Sequence, residues 1–361
     1  MIRRVKGLVA SYAAAHPDLG VDPERALYLD SSNRFRSGSV LLYFAGAEPA
    51  LVAKVAHTPF AAGVIANEYE VLGELERRGL NRDRPRVPRR LGIWKAGGGC
   101  VTMQMALPGA PMKNLPVRSI LSVRRAPATI GAVTSWWQHF VALTGSERRT
   151  VDSELYRVEV LDELRALHAR FALSPAEEDL LGGLFEQRPA LLGEELPLVA
   201  EHGDFCTANV MTGPGGVAVF DWELPLQPRL PLFDLFVFLS SLRVGAGPRR
   251  EVDHFSSFCS IFWGQHQLAR HVRRRLRGIA GELGIAAELL GDLLVLAVVR
   301  AANLKADVVA GSYDGGQKGA EYVHRDLMYA VDKNAPLARL QRGTCHHLRA
   351  IAARGVPDFS S

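Results

Sequence analysis

The sequence has little cysteine and no apolar run long enough to cross a membrane. Its 361 residues include four cysteines, which lie far apart and form no CxxC pair. This pattern argues against a structural zinc site or a disulfide framework, and it is typical of a reducing compartment. The longest apolar run, residues 285–299, contains two acidic residues and is too short for a membrane span. We therefore expect a cytoplasmic protein with no membrane partner.

The chain also has almost no charge imbalance over most of its length. The formal net charge is +5, but residues 1–244 carry 27 basic and 27 acidic side chains, so the excess lies in residues 245–361. Two arginine clusters, residues 82–90 and 270–277, lack interleaved aromatic side chains, and no nucleic-acid-binding motif accompanies them. These features disfavour a nucleic-acid partner. The oligomeric state cannot be inferred from the composition.

Strand patterns are concentrated in the first third of the chain. Residues 39–45 (SVLLYFA) and 50–56 (ALVAKVA) predict two strands joined by a turn. Thr58 followed by Pro59 is a helix start, and we expect that helix to end at Gly79. A further hairpin then leads into an extended connector ending at Pro108-Gly109, which is the candidate hinge.

Helical patterns dominate after this connector and are interrupted only by short strands around residues 197–223. The sequence therefore predicts an α+β protein with two lobes. We expect a strand-rich lobe at residues 1–106 and a larger, mostly helical lobe at residues 107–361.

Two short motifs carry the chemistry. The first is HGDFCTANV, residues 202–210, and the second is FDWE, residues 220–223. Phosphoryl transfer needs a divalent cation and a carboxylate that orients the attacking hydroxyl. Asp204 would orient the acceptor, and the oxygens of Asn209 and Asp221 are ligands suited to Mg²⁺. His202 is grouped with Asp204 at the catalytic centre, where we expect it to fix the loop by hydrogen bonding rather than to act as an acid or base itself.

These paired motifs resemble those of the aminoglycoside phosphotransferase and choline kinase family. The family pattern is H-G-D followed by Asn, and FDWE resembles its metal-binding motif, the counterpart of DFG in protein kinases. The resemblance covers about residues 26–243. It implies a protein-kinase-like fold with a small antiparallel sheet in the N-terminal lobe.

The resemblance also implies roles for individual residues. Asp204 would be the catalytic base, and Asn209 and Asp221 would bind Mg²⁺. Lys54 would hold the α- and β-phosphates of ATP, and Glu68, rather than Glu70, would orient Lys54. Main-chain groups would supply the other nucleotide contacts: Ser37, Gly38 and Ser39 for the phosphates, and Gln104, Met105 and Ala106 for the adenine. Asp234 resembles a family aspartate that braces the loop at His202.

Several features leave alternatives open. The polar loop before residue 39 lacks the multiple glycines of a protein-kinase phosphate loop. Glu223 either supports the metal site or is only a charge at a strand end. The pair Trp136-Trp137 either stacks on a substrate or packs in the core of a helix bundle, and core packing is the commoner role.

The expected activity is ATP- and Mg-dependent transfer of a phosphoryl group to a hydroxyl of a small metabolite. A sugar, an amino alcohol or an aminoglycoside-like compound would be the acceptor, although the basic C-terminal third disfavours a polycationic one. The alternative is an inactive nucleotide-binding regulatory protein on the same fold.

Overall fold

The structure, a computed structural model, describes residues 2–30, 38–83, 86–96, 99–112, 120–242, 254–313 and 346–359. The chain divides into two compact units. The first contains Met1–Pro111, Asn209–Leu226 and Ala310–Tyr322, and the second contains Met112–Ala208, Gln227–Val309 and Val323–Ser361.

The first unit differs from the lobe expected at residues 1–106, because the segment that carries FDWE belongs to it. Strand β6 (Ala110–Pro111) pairs with β9 (Val210–Gly213), and β9 pairs with β10 (Gly216–Val219). Gly109 precedes this sheet with φ +107°, and a Cβ there would lie 2.6 Å from the main-chain oxygen of Thr212. The close approach requires glycine.

The first unit is built on a five-stranded antiparallel sheet with the order β1-β2-β3-β5-β4. Its strands are β1 (Asp22–Asp30), β2 (Gly38–Ala45), β3 (Glu48–Ala56), β4 (Arg90–Ala96) and β5 (Gly99–Met105). The two hairpins that the alternating patterns predict are thus present, and antiparallel pairing follows from their short turns.

One face of this sheet is covered by helix α1 (Ile2–Ala15). Val5 and Val9 of this helix are buried against alternate residues of the central strands, including Leu41, Ala53 and Met103. Because side chains alternate across a strand, the residues between them point to the other face. Lys54 is one of those residues.

Helix α2 (Pro59–Arg77) begins where the sequence predicts. Thr58 is the N-cap and its hydroxyl accepts a hydrogen bond from the Ala61 N–H, while Pro59 occupies the first turn. Gly79 follows the helix with φ +83°, a left-handed conformation that favours glycine. The buried side of α2 includes Ile65, Glu68 and Leu72.

The second unit is mostly helical. A three-stranded sheet, β7 (Ser146–Thr150), β8 (Glu195–Ala200) and β11 (Pro228–Arg229), has the order β11-β8-β7. The helices up to residue 241 are α3 (Ile120–Thr144), α4 (Ser153–Tyr156), α5 (Asp162–Arg170), α6 (Pro175–Gly182) and α7 (Phe233–Ser241). Those beyond it are α8 (His254–Trp263), α9 (Gln267–Glu282) and α10 (Leu290–Tyr313), whose last residues enter the first unit.

An aromatic core joins these helices. Trp136 and Trp137 of α3 are 3% and 1% exposed, so this pair packs in the core, the commoner of its two possible roles. The Trp136 ring stacks on Phe205 at 5.5 Å between centroids. Within the described residues, none of the helices is both long enough and apolar enough to span a bilayer. The α+β class predicted from the sequence is confirmed.

Candidate functional site

Lys54 lies between two carboxylates in the first unit. Its Nζ is 2.7 Å from Oε2 of Glu68 on α2 and 2.7 Å from Oδ1 of Asp221 after β10. The Lys54 side chain is 11% exposed and that of Glu68 is 1% exposed. Glu70 is not the partner, because its carboxylate is 72% exposed and lies 3.8 Å from Arg90. The structure thus brings together three residues that the sequence separates by up to 167 positions.

The charges of this cluster keep Lys54 protonated. Burial lowers the pKa of Lys54, but the negative charges of Asp221, Glu68 and Glu223 raise it by more in total, so its pKa lies above the usual value. Burial raises the pKa of Glu68, and the Lys54 charge opposes this rise. The result is a fixed cation that can contact an anionic group, in a site whose excess of carboxylates would stabilise a divalent cation.

The FDWE segment is held by its main chain. Asp221 has φ +72°, an uncommon conformation for a residue with a side chain. Trp222 is fully buried and its Nε1 donates to the Val219 carbonyl at 3.0 Å. The Asn67 side chain of α2 donates to the Glu223 carbonyl at 2.8 Å. The surrounding structure therefore maintains the strained conformation that directs the Asp221 carboxylate to Lys54.

Apolar residues share the sheet face of Lys54. In the strand pairing, Lys54 lies opposite Val40, and Val40 lies opposite Leu29. Leu27 is two residues before Leu29 and therefore lies on the same face. These two leucines are 49% and 42% exposed. An exposed apolar surface next to a buried cation is suited to a ligand with a flat apolar part and an anionic part.

The predicted adenine segment follows β5. Gln104 is 6% exposed and lies in the strand. The Met105 N–H donates to the Arg89 carbonyl at 2.8 Å, and the Ala106 N–H donates to the Ala50 carbonyl at 3.0 Å. Both N–H groups are thus already bonded within the first unit.

Of the three predicted phosphate-binding residues, the structure describes Gly38 and Ser39. Ser37 lies outside the described residues, and Gly38 is the first residue of β2. Ser39 is 4% exposed, and its hydroxyl is 2.8 Å from both the Tyr28 hydroxyl and Nε2 of His57. The Ser39 hydroxyl therefore links β2 to β1 and to the residue that follows β3.

In the second unit, residues 202–208 form a tight turn that we call the HGD loop. Gly203 has φ +83°, which favours the glycine of the motif. The Asp204 N–H donates to Nδ1 of His202 at 3.2 Å, and the Asp204 carbonyl accepts from the Cys206 N–H at 2.8 Å. His202 is 1% exposed, whereas Asp204 is exposed. The histidine ring thus supports the loop from within, and Asp204 faces outward.

Helix α7 contacts this loop at three successive points. The Asp234 carboxylate accepts from the N–H groups of His202 at 2.8 Å and Gly203 at 3.0 Å. Phe205 packs on Phe238 with 5.6 Å between ring centroids. Ser241 then accepts from the Thr207 N–H at 2.8 Å. The brace that the resemblance assigns to Asp234 is therefore the first of several contacts along the helix.

Asn209 follows the HGD loop and belongs to the first unit. It is 6% exposed, and its carbonyl accepts from the Phe220 N–H at 3.1 Å. This bond ties the start of β9 to the residue before Asp221. The two predicted metal ligands are thus joined through the main chain of one small sheet. Their role as ligands remains a prediction.

Three residues near these motifs were not anticipated from the sequence: Asn67, Ser241 and Arg300. Asn67 and Ser241 act through main-chain contacts, which have no signature in a pattern of residue types. Arg300 ends a long apolar run, and its guanidinium binds Glu201, the residue before the HGD loop, at 2.6 Å. An arginine at the end of such a run and a glutamate directly after a run of buried strand residues are the signals that the sequence offered.

Comparison with known proteins shows the family. A model of the phosphotransferase enzyme family, APH, matches residues 35–271, which is more than half of the chain. A comparison with curated proteins finds no match.

The chain is also similar to solved structures at low sequence identity. An aminoglycoside 2'-phosphotransferase-IIIa variant in complex with GDP has a TM-score of 0.50 at 12% identity, and the alignment covers 91% of this chain and 99% of that one. The aminoglycoside phosphotransferase APH(3'')-Id from Streptomyces rimosus has a TM-score of 0.46 at 17% identity, with 83% and 98% covered. A glucosamine kinase in complex with glucosamine, ADP and phosphate also has 0.46 at 17% identity, with 91% and 81% covered.

The similarity to the first of these structures agrees with the kinase-like fold that the motifs imply. The family match includes both motifs. The chain belongs to the phosphotransferase enzyme family.

Proposed function

We propose that this protein is an ATP- and Mg-dependent O-phosphotransferase that phosphorylates a hydroxyl of a small metabolite. The observation that carries the proposal is the position of Lys54 between Glu68 and Asp221, both at 2.7 Å. Kinases use such a lysine to hold phosphates and such an aspartate to hold the metal. An inactive relative would not need to keep this cluster intact.

The nucleotide would bind along the sheet face of Lys54. Its base would cover the apolar residues Leu27, Leu29 and Val40, and Lys54 would contact the phosphates. Because the N–H groups of Met105 and Ala106 already bind main-chain carbonyls, we propose that Leu107 supplies the N–H donor to the base and that Met105 supplies a carbonyl acceptor.

The metal would be held by Asn209 and Asp221. Among the described residues, no group of three or more His, Cys, Asp or Glu side chains forms a metal cage. A magnesium site of this class needs only one or two protein ligands together with phosphate oxygens, so an amide and a carboxylate suit it. When bound, Mg²⁺ would neutralise charge that develops on the phosphates.

Asp204 would accept the proton of the attacking hydroxyl. Its carboxylate is exposed, and its main chain is held at both sides by hydrogen bonds within the HGD loop. A carboxylate in a fixed position orients the hydroxyl and lowers the entropic cost of attack.

The acceptor would be a sugar or an amino alcohol. Structural relatives include complexes with streptomycin and with glucosamine. The basic excess of residues 245–361 disfavours a polycationic aminoglycoside, so we propose neutral or singly charged hydroxyl compounds.

The first test is a screen of small hydroxylated compounds for Mg·ATP-dependent phosphorylation. GTP should be run in parallel, since one structural relative is a GDP complex. The blank is Asp204→Asn, which should bind Mg·ATP with unchanged affinity and lose transfer by at least about 100-fold, in the range of general base removal. Full turnover by Asp204→Asn would contradict the role of Asp204.

A second test addresses the metal. Thermal stabilisation by ATP should increase when Mg²⁺ is added to the wild-type protein. Asp221→Ala should lose this metal-dependent increment and keep part of the metal-free increment. If the wild-type protein shows no shift with Mg·ATP or Mg·GTP and no transfer, the nucleotide-dependent reaction is excluded.

A further inference from the structure

A buried ion pair lies directly behind the HGD loop. Arg300 of α10 binds the Glu201 carboxylate with two parallel bonds, Nη1 to Oε1 at 3.0 Å and Nη2 to Oε2 at 2.6 Å. The two side chains are 4% and 8% exposed. Glu201 is the residue before His202, so the pair connects a C-terminal helix with the residue that directly precedes the loop.

Such a pair is a weak contribution to stability by itself. Removing two charges from water costs about as much as their attraction returns, and apolar residues of similar size are often as stable. A bidentate, almost fully buried pair next to a candidate catalytic loop therefore suggests a role in positioning rather than in folding alone.

The surroundings of the pair are rich in carboxylates. Arg229 binds Glu159 at 2.6 Å and Glu163 at 3.1 Å. Glu163 also lies 3.8 Å from Nε of Arg300 and accepts from the Asn303 side chain at 2.8 Å. The two arginines thus pair with different carboxylates. Arg229 mainly balances the charges of the two glutamates in the helical segment 157–170, and Arg300 mainly balances the charge of Glu201.

Asp234 is the fourth carboxylate of this region. It is 1% exposed, and its two oxygens accept from the N–H groups of His202 and Gly203. The pKa of Asp234 is raised to about 7, because burial and then the charge of Glu201 raise it by more than the two main-chain hydrogen bonds and the charge of Arg300 lower it. The Arg300 guanidinium also lies 4.3 Å from the ring centre of Phe233, the neighbour of Asp234.

We propose that Arg300 is a positioning residue for phosphoryl transfer. Its positive charge balances the Glu201 carboxylate and keeps Asp234 ionised. The His202 and Gly203 N–H groups then stay bound to Asp234, and Asp204 stays in place. This inference rests on the proposed function of Asp204. In this role Arg300 acts through Glu201 and Asp234 and does not contact the substrate.

The sign of the effect follows from the charges around Asp234. Without Arg300, Asp234 loses a positive charge that lowers its pKa, and Glu201, while it stays ionised, repels Asp234 without compensation, so the pKa of Asp234 moves upward. A protonated Asp234 accepts weaker hydrogen bonds than a carboxylate does. The HGD loop would then loosen at neutral pH, where the wild-type loop is still held.

The experiment uses Arg300→Met, Glu201→Gln and the double variant. Arg273→Met is the matched control, because Arg273 is also a buried arginine of a C-terminal helix, but it binds the carbonyls of Phe262 and Gly264. Two quantities are measured from pH 5.5 to 9: amide hydrogen exchange of residues 198–207, corrected for its intrinsic pH dependence, and kcat and KM for Mg·ATP-dependent transfer.

For Arg300→Met we expect the acid limb of kcat to move up by about one pH unit, within the range that one nearby charge produces. The rate on that limb then falls about tenfold, with KM for ATP changed less than threefold, and exchange in residues 198–207 rises over the same pH range. Glu201→Gln should move the limb downward. The double variant, which removes both charges, should return to within about threefold of the wild type.

Several results would overturn the proposal. One is a profile and an exchange pattern of Arg300→Met equal to those of Arg273→Met. Another is a double variant as impaired as Arg300→Met, which would indicate packing rather than charge. If Arg300→Met does not fold, an unchanged acid limb and unchanged loop exchange in Glu201→Gln would overturn it. Loop exchange that responds as expected in a protein without transfer activity would instead contradict the proposed function alone.

Discussion

Lys54 shows how a single residue depends on its partners. Its largely buried side chain contacts the buried Glu68 and the partly exposed Asp221, and its positive charge offsets theirs. Removing the lysine would leave Glu68 as a buried carboxylate without its cation, which is far more costly than losing a surface ion pair. The same residue therefore supports both the fold of the first unit and the proposed phosphate contact.

Lys54→Met should lower the free energy of unfolding by about 3 kcal/mol at pH 8, the order expected when one partner of a buried pair is removed. The loss should shrink as pH falls. Burial already raises the pKa of Glu68, and without Lys54 this pKa would rise further, so Glu68 would take up a proton in the folded state. Urea unfolding at pH 8 and pH 5 measures both values.

The matched comparison is the double variant Lys54→Met/Glu68→Gln, which should recover most of the stability at pH 8 without recovering transfer. Glu70→Gln serves as the surface control, since Glu70 is 72% exposed. An equal loss for Lys54→Met at both pH values would contradict the assignment of an uncompensated Glu68.

At the scale of the element, α7 matches the HGD loop along one face. Asp234, Phe238 and Ser241 are four and three residues apart, so they lie on the same side of the helix. They meet His202 and Gly203, then Phe205, then Thr207, in chain order. A rigid helix thus determines the path of the loop that carries Asp204.

Ser241→Ala removes the last of these contacts. The Thr207 N–H would lose its acceptor, and we expect a loss of about 1 kcal/mol in unfolding free energy, typical of one hydrogen bond. We also expect kcat to fall about tenfold while KM for ATP changes little, because the affected segment follows Asp204 rather than the nucleotide residues.

Two variants separate this effect from general damage to the helix. Ser241→Thr keeps the hydroxyl and should recover at least half of the lost rate. Ser240→Ala changes the neighbouring serine, which lies about 100° around the helix, and should resemble the wild type. Equal kcat values for Ser241→Ala and Ser240→Ala would contradict the role of Ser241.

At the scale of the whole molecule, the two motifs belong to different units. The HGD loop is part of the second unit, whereas Asn209 and Asp221 are part of the first. The predicted boundary near residue 106 therefore describes only the first passage of the chain between units. The return at residue 209 depends on pairing between β6 and β9, whose partners are about 100 residues apart in sequence.

Buried carboxyls make the stability of the molecule depend on pH in an unusual direction. Burial raises the pKa of Asp234 to about 7 and that of Asp292 to about 6, both well above the ordinary value of 3.8. At a pH between 3.8 and the raised pKa of each group, the folded protein binds a proton that the unfolded chain releases. Each group then adds about 1.4 kcal/mol of stability per unit fall in pH within its window.

We therefore expect the free energy of unfolding to increase from pH 7.5 to about pH 5, while transfer activity falls over the same range as Asp234 becomes protonated. Below about pH 4 the unfolded chain is protonated as well, and the gain ends. Asp292→Asn should flatten the slope below pH 6 only. A free energy of unfolding that decreases steadily from pH 7.5 to pH 5 would contradict the raised pKa values.

Local patterns in the sequence predicted much of the fold. The hairpins β2-β3 and β4-β5 and the start of α2 at Thr58-Pro59 are all as predicted. Alternation of apolar residues, turn residues and caps act over a few positions, so the sequence displays them directly. The reaction class follows from the same kind of information, since Asp204, Asn209 and Asp221 lie within two short motifs that the family match includes.

The tertiary structure decided the partners of the buried charges. That Lys54 meets Asp221, that Arg300 meets Glu201 and that Ser241 meets Thr207 depends on residues 34 to 167 positions apart. A buried charge takes whichever partner the packing brings within reach, and no spacing in the chain encodes that choice. The sequence by itself therefore indicated the class of reaction, phosphoryl transfer, whereas only the folded chain decided which side chains hold the candidate site residues in place.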